Sequence, residues 1–184
     1  YYYIIMVNYE NICKNACPPF NINSVLLYTP PSGSGSGGTG PTGPSFDAFG
    51  IDTERVLHTP VTDVEQLKFD IMKQLAGVER GDHIMIIIDS IGNLASKKEV
   101  EDTLDGKSVA DMSRAKQIKS LFRMVTPHLS LKDIPMVVVN HTYKTMEMYS
   151  KDVVGGGTGS YYSADNIFIL GRQQDKDGTE LMGY

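Results

Sequence analysis

Several apolar runs in this chain are too continuous to alternate between a buried and a wet face. Ile84-Met85-Ile86-Ile87-Ile88, Met136-Val137-Val138-Val139 and Ile167-Phe168-Ile169-Leu170 read as strands covered on both faces, with Val25-Leu26-Leu27-Tyr28 as a shorter one. Between them the period changes. Val64, Leu67, Ile71, Leu75 and Val78 recur at three and four, which predicts a helix with one apolar face running to about residue 80. Thr62-x-x-Glu65 reads as the capping box that opens it, and Gly81-Asp82 as its end. Arg55–His58 reads as a strand before it. Val109, Met112, Ile118, Leu121, Phe122 and Val125 form the stripe of a second helix, from about Ser108 to Pro127, where the proline is expected to stop it. Strand, helix, strand, helix, strand predicts an α/β fold with a mainly parallel central sheet, right-handed crossovers and flanking helices.

The pattern is weaker at the start. Tyr1–Val7 is apolar but short and has no basic leader, so it reads as a strand or helix remnant rather than a signal peptide. The chain opens on Tyr rather than Met, as a fragment would. Thr29 to Pro44 is a Gly/Ser/Pro stretch of low complexity, expected to be a mobile loop. A phosphate loop, GxxxxGK[ST], needs a lysine for the phosphates and a hydroxyl for Mg²⁺, and no lysine occurs between Lys14 and Lys68. The stretch therefore reads as a linker. Two regions result: an atypical segment over 1–45 and a regular core over 46–184.

Length and charge narrow the possibilities. The 184 residues suffice for one domain with a substantial core. A net charge of −5 argues against wholesale coating of nucleic acid and leaves room for a local basic loop. No apolar run is long enough to span a bilayer. Cys13 and Cys17 are four apart and have no nearby His or Cys, so they read as free thiols in a reducing compartment; a bridge between them stays open.

Candidate chemistry lies just beyond the carboxyl ends of the strands, where parallel sheets place their ligands. Asp89, followed by Ser90, leaves the 84–88 run. It can hold Mg²⁺, directly or through water, beside nucleotide phosphates, or it can cap the next turn. Gly106-Lys107-Ser108, after Asp105, mimics the end of a phosphate loop. The earlier glycine that loop requires would fall at Glu101, so a turn and a Ser108 helix cap fit better. Asn140-His141 can sense a terminal phosphate or simply finish a strand. Gly155-Gly156-Gly157-Thr158-Gly159 lets backbone approach a ligand, and Tyr161 and Tyr162 can stack on bases; a plain mobile loop is the other reading. Lys144 and Lys151 supply positive charge there.

Taken together, Ile88-Asp89-Ser90-Ile91-Gly92-Asn93-Leu94-Ala95-Ser96-Lys97-Lys98-Glu99, Met112-Ser113-Arg114-Ala115-Lys116, Lys119–Arg123, Val139-Asn140-His141-Thr142-Tyr143 and Gly155–Gly159 resemble the UvsX-type phage recombinases of the RecA family, from about Phe46 to Tyr184. The resemblance implies a RecA-like ATPase core that exchanges DNA strands with ATP and Mg²⁺ as cofactors. In it Asp89 is the Walker B aspartate, acting on Mg²⁺ through water, with Ser90 its neighbour. His141 links the terminal-phosphate site to the second DNA-binding loop. Residues around 101–108, with Asp105, Gly106, Lys107 and Ser108, match the first DNA-binding loop. Residues 142–163, with Lys144, Lys151, Gly155, Gly156, Gly157, Thr158 and Gly159, match the second. It also implies single-stranded DNA and a homo-oligomeric helical filament as partners, together with mediator and single-strand-binding proteins. The place implied is the cytoplasm of a phage-infected host, with no membrane. Departures accompany the likeness. No Walker A loop is present, and Pro31 stands where the family has the glutamate that orients water. The Gly/Ser/Pro stretch is longer than the family's connection, and the family's C-terminal strands are missing. A truncated or rearranged core with poor hydrolysis is expected. A DNA-binding or filament-forming relative without catalysis, and a helicase- or circadian-type ATPase of the same fold, are the alternatives.

Overall fold

The computed structural model describes residues 3–8, 24–29, 52–106, 113–146, 152–174 and 180–183. Cys13, Cys17, the Gly/Ser/Pro stretch after Thr29 with Pro31, and Lys107, Ser108 and Lys151 lie outside them. The strands, all but the last containing β-branched residues, are β1 Tyr3–Asn8, β2 Ser24–Thr29, β3 Val56–Pro60, β4 Ile84–Ile88, β5 Met136–Lys144, β6 Asp152–Val154, β7 Asn166–Gln174 and β8 Glu180–Gly183. The helices are α1 Val64–Gly77, α2 Lys97–Leu104, α3 Ser113–Lys132 and α4 Thr158–Ser163.

The sheet runs β3-β2-β4-β5-β1-β7-β8, with β6 paired to the outer end of β5. β3, β2, β4 and β5 are mutually parallel. β1 is antiparallel to both β5 and β7, so β7 points the same way as β5. The protein is thus α/β with a mostly parallel sheet flanked by helices. The steps from β3 to β4 and from β4 to β5 advance in the same direction across the sheet. Right-handed crossovers then place α1 and α3 on one face. That face holds the core: Leu26, Tyr28, Ile86, Ile88, Met136 and Val138 from the sheet, Val64, Leu67, Ile71 and Leu75 from α1, and Ile118, Leu121, Phe122, Val125 and Leu129 from α3.

The runs are not covered equally on both faces, as their continuity had suggested. Met85, Ile87, Val137 and Val139 point away from α1 and α3 and are only half-buried, because both long helices bury their apolar residues on the other side. Several boundaries also move. Asp63, not Thr62, caps α1: its side chain accepts from the Gln66 N–H, and the Gln66 side chain reaches back to the Thr62 N–H. The helix ends at Gly77 rather than near 80. Pro127 does not stop α3, which continues to Lys132. Pro127 and Arg123, whose carbonyl the proline leaves without a helical donor, both lie on the exposed side, where water can serve that carbonyl. Val125 and Leu129, buried on either side, hold the helix to the core. At its end Lys132 Nζ donates to the carbonyls of Leu75 and Val78, satisfying the C-terminus of α1.

Candidate functional site at the carboxyl edge of the sheet

Asp89 leaves β4 with its N–H still donating to the Tyr28 carbonyl at 2.9 Å, and its side chain is exposed. The Asp89–Ser90 peptide is cis. Ser90 is only 4% exposed, and its hydroxyl has no hydrogen-bond partner among the described residues. A single 3-10 turn, Ile91–Asn93, follows, anchored by fully buried Ile91. The Asn93 side-chain oxygen lies 2.9 Å from His141 Nε2. Gly92 lies under the imidazole: a Cβ at that position would stand 2.4 Å from His141 Cδ2. The turn between them is held from α3. Arg114 donates to the carbonyls of Leu94 at 2.6 Å, Ile91 at 3.0 Å and Gly92 at 2.7 Å.

β5 connects this turn to the next polar segment. Asn140 is 1% exposed and uses both ends of its amide: Oδ1 accepts from the His141 N–H and Nδ2 donates to the Gly155 carbonyl, each at 2.9 Å. The Gly155 N–H donates to the His141 carbonyl at 2.8 Å. Past His141 the strand goes on, and Thr142, Tyr143 and Lys144 pair with Val154, Val153 and Asp152 of β6. Of the stretch expected to be a loop from 142 to 163, the described residues form a short ribbon followed by α4. Its glycines are also not slack. Gly156 and Gly157 have φ of +83° and +79°, and added Cβ atoms would meet Ile118 at 2.9 Å and Ala115 at 3.3 Å. A Cβ on Gly159 would stand 2.7 Å from the Lys119 backbone. These glycines let the segment lie directly on α3. Thr158 opens α4 and is exposed, as are Tyr143, Lys144, Tyr161 and Tyr162. The two tyrosine rings meet edge to face at 5.6 Å.

The first expected loop, around 101–108, is helical over its first four residues. Ser96 caps α2, with a complete capping box to Glu99. Glu65 of α1 accepts from the Lys97 N–H, and the Ser113 hydroxyl donates to Ser96 Oγ. Asp105 and Gly106 close this helix in an exposed turn. Ser96-x-x-Glu99 was a legible signal for the helix. Asn93 and Arg114 had none, because their partners arrive from other elements.

The edge thus gathers Asp89, Ser90, Asn93, Asn140 and His141. An exposed carboxylate beside polar groups suits a hydrated divalent cation, although no cluster of three or more metal-ligating side chains occurs among the described residues. A triphosphate fits less well. β1 enters this edge at Tyr3, opposite His141, and leaves at the far edge, where Asn8 lies opposite Met136. Among the described residues no glycine-rich turn carrying a lysine follows a strand at this edge, and the chain has no GxxxxGK[ST] motif. Among the described residues, Asp89 and its polar neighbours would suit a hydrated cation, and no phosphate cradle lies beside them.

This chain is similar to the recombination and repair protein of Enterobacteria phage T4. The two are 58% identical over 137 residues, which take in 74% of this chain and 35% of that protein. The chain spans about a third of the length of this relative. No protein-family model matches it. No helix among the described residues is long and apolar enough to cross a membrane.

Proposed function

We propose that this chain is core material of a UvsX-type recombination and repair protein that binds single-stranded DNA for strand exchange. One observation carries the reading: β5 runs from His141, bonded to the turn after Asp89, straight into the ribbon that presents Tyr143 and Lys144. The likeness to the phage recombination and repair protein supports it. Charge supports it too. α3 contains no Asp or Glu, and Lys116, Lys119 and Arg123 are exposed on it, in a chain of net charge −5. Sequence-independent binding needs phosphate contacts and stacking, which exposed Lys144, Tyr161 and Tyr162 can supply.

Mg²⁺ and ATP are the proposed cofactors, with Asp89 on the metal side through water and His141 toward the terminal phosphate. Efficient hydrolysis by this chain is not expected, because it has no GxxxxGK[ST] motif and no phosphate cradle among the described residues. That same gap favours a second reading, a DNA-binding or filament-forming relative that does not turn over ATP. In either reading the partners are DNA, further copies of the chain in a helical filament, and mediator and single-strand-binding proteins, in the cytoplasm of an infected host.

Fluorescence anisotropy with a labelled oligodeoxythymidylate, across a salt series, tests the reading. Binding should weaken with salt, and Lys144→Ala should lower the logarithmic salt slope by about 0.7, the value for one lost single-strand phosphate contact. A wild-type chain that shows no binding at low salt sinks the proposal. An unchanged slope removes Lys144 from the interface.

A further inference from the structure

The contacts at the carboxyl edge form a closed ring. The turn after Asp89 touches His141 through Asn93 and Gly92. His141 and Asn140 hold Gly155 by two backbone-directed bonds. Gly156, Gly157 and Gly159 lie on Ile118, Ala115 and Lys119 of α3. The same end of α3 returns to the turn through Arg114. We infer that Arg114 is a positioning residue that closes this ring, so that the turn beside Asp89 and the 155–163 segment are held as one body.

The chemistry favours arginine here. The turn has few bonds of its own, chiefly Asn93 N–H to Ser90 O at 3.2 Å and Leu94 N–H to Ile91 O at 3.3 Å. Three of its carbonyls, at 91, 92 and 94, converge on one guanidinium. A planar fork with several donors can serve them together, whereas a lysine ammonium on a flexible stem cannot reproduce that geometry. Without the fork, Asn93 loses its fixed bearing on His141, and Gly155 depends on His141 for its own bond. Ala115 and Ile118, adjacent on the same helix, keep the other side of the ring in register. A change at the Asp89 turn therefore reaches the glycine segment by two routes, through β5 and through α3. Its consequence for DNA rests on the reading proposed above; the ring itself does not.

Amide hydrogen exchange on wild type, Arg114→Gln and Arg114→Lys tests the inference, with the Ile86 N–H, bonded to Pro135 O, as an internal core reference. In Arg114→Gln, exchange at Asn93 and Leu94 should quicken on the order of tenfold, and exchange at Gly155 should quicken relative to Ile86. Arg114→Lys should fall between, and it serves if the glutamine variant does not fold. Faster exchange at 93–94 with Gly155 unchanged overturns the inference and reduces Arg114 to a local cap. Equal acceleration at Ile86 overturns it as well, by showing general destabilisation. In a separate arm, oligonucleotide affinity should drop in Arg114→Gln with the salt slope retained, since no phosphate contact is removed. A wild-type chain that binds no DNA sinks the proposed function and leaves the exchange result to stand alone.

Discussion

Gly92 shows how much a single hydrogen atom can decide at this edge. Its missing Cβ is the space occupied by the His141 ring, 2.4 Å from where that carbon would be. Gly92→Ala must push the imidazole away and break its contact with Asn93. The expected cost is about 1–3 kcal/mol, as for other overpacked sites, read from urea denaturation; an unchanged midpoint would mean that the ring moves freely. Tyr28 makes a different residue-scale prediction. It is 2% exposed, and burial, helped by the negative charge of Asp70, pushes its phenol up from 10.0 to about 12. The folded state therefore keeps the proton that the unfolded chain loses first. The stabilisation is whole below pH 10 and is lost as pH rises through 12, a fall of about 2–3 kcal/mol. Tyr28→Phe should flatten that part of the stability profile. If both proteins lose stability equally between pH 10 and 12, other groups are responsible.

At the scale of elements, α2 illustrates a helix made by its cap. It buries no residue, yet Ser96 and Glu99 satisfy two orphan N–H groups, and Ser96 also receives the Ser113 hydroxyl. Ser96→Ala removes the cap and leaves Ser113 without that acceptor. A loss of about 1–2 kcal/mol is expected, with reduced helicity by circular dichroism. Stability within experimental error of wild type would show that α2 is held by something other than its N-terminus. α3 is the contrary case, a helix held by packing in spite of its sequence. Pro127 interrupts its ladder, but Ile118, Leu121, Phe122, Val125 and Leu129 are all buried against the sheet and α1. Burial of that stripe outweighs the local break because helices in proteins draw most of their stability from packing. The ribbon of β5 and β6 continues one strand beyond the core, so His141 is the point where the buried sheet passes into exposed polar chain.

For the molecule as a whole, the proposed chemistry depends on which parts of a nucleotide site the sheet edge brings together. Phosphoryl transfer needs a cradle, a metal site and a positioned water together. Among the described residues a candidate is in place for one of these alone, the metal site proposed at Asp89. Phosphate release from ATP by this chain, with or without single-stranded DNA, is expected to be at least about a thousandfold slower than by an enzyme with all three parts. A malachite-green assay on the purified chain measures it, and turnover of the order of 1 s⁻¹, ordinary for an enzyme, would refute the assignment of the edge as cradle-less.

The sequence by itself determined the class of fold and the location of the polar edge. Ile84–Ile88 and Met136–Val139 read as strands, though not as unequally covered ones, and Asp89 and Asn140-His141 follow them directly, so short-range pattern and chain order placed the candidate site. Hydrophobic period is a local property and survives in a single sequence. Tertiary structure decided what depends on partners distant along the chain. It set Arg114 on three carbonyls, laid His141 over Gly92, and used the glycines at 156, 157 and 159 for contact with α3 rather than for slack. It also carried α3 through Pro127 and put β1 into the sheet against its neighbours' direction. None of these leaves a period in the chain, because each is a match between two surfaces, and only folding brings the second surface into place.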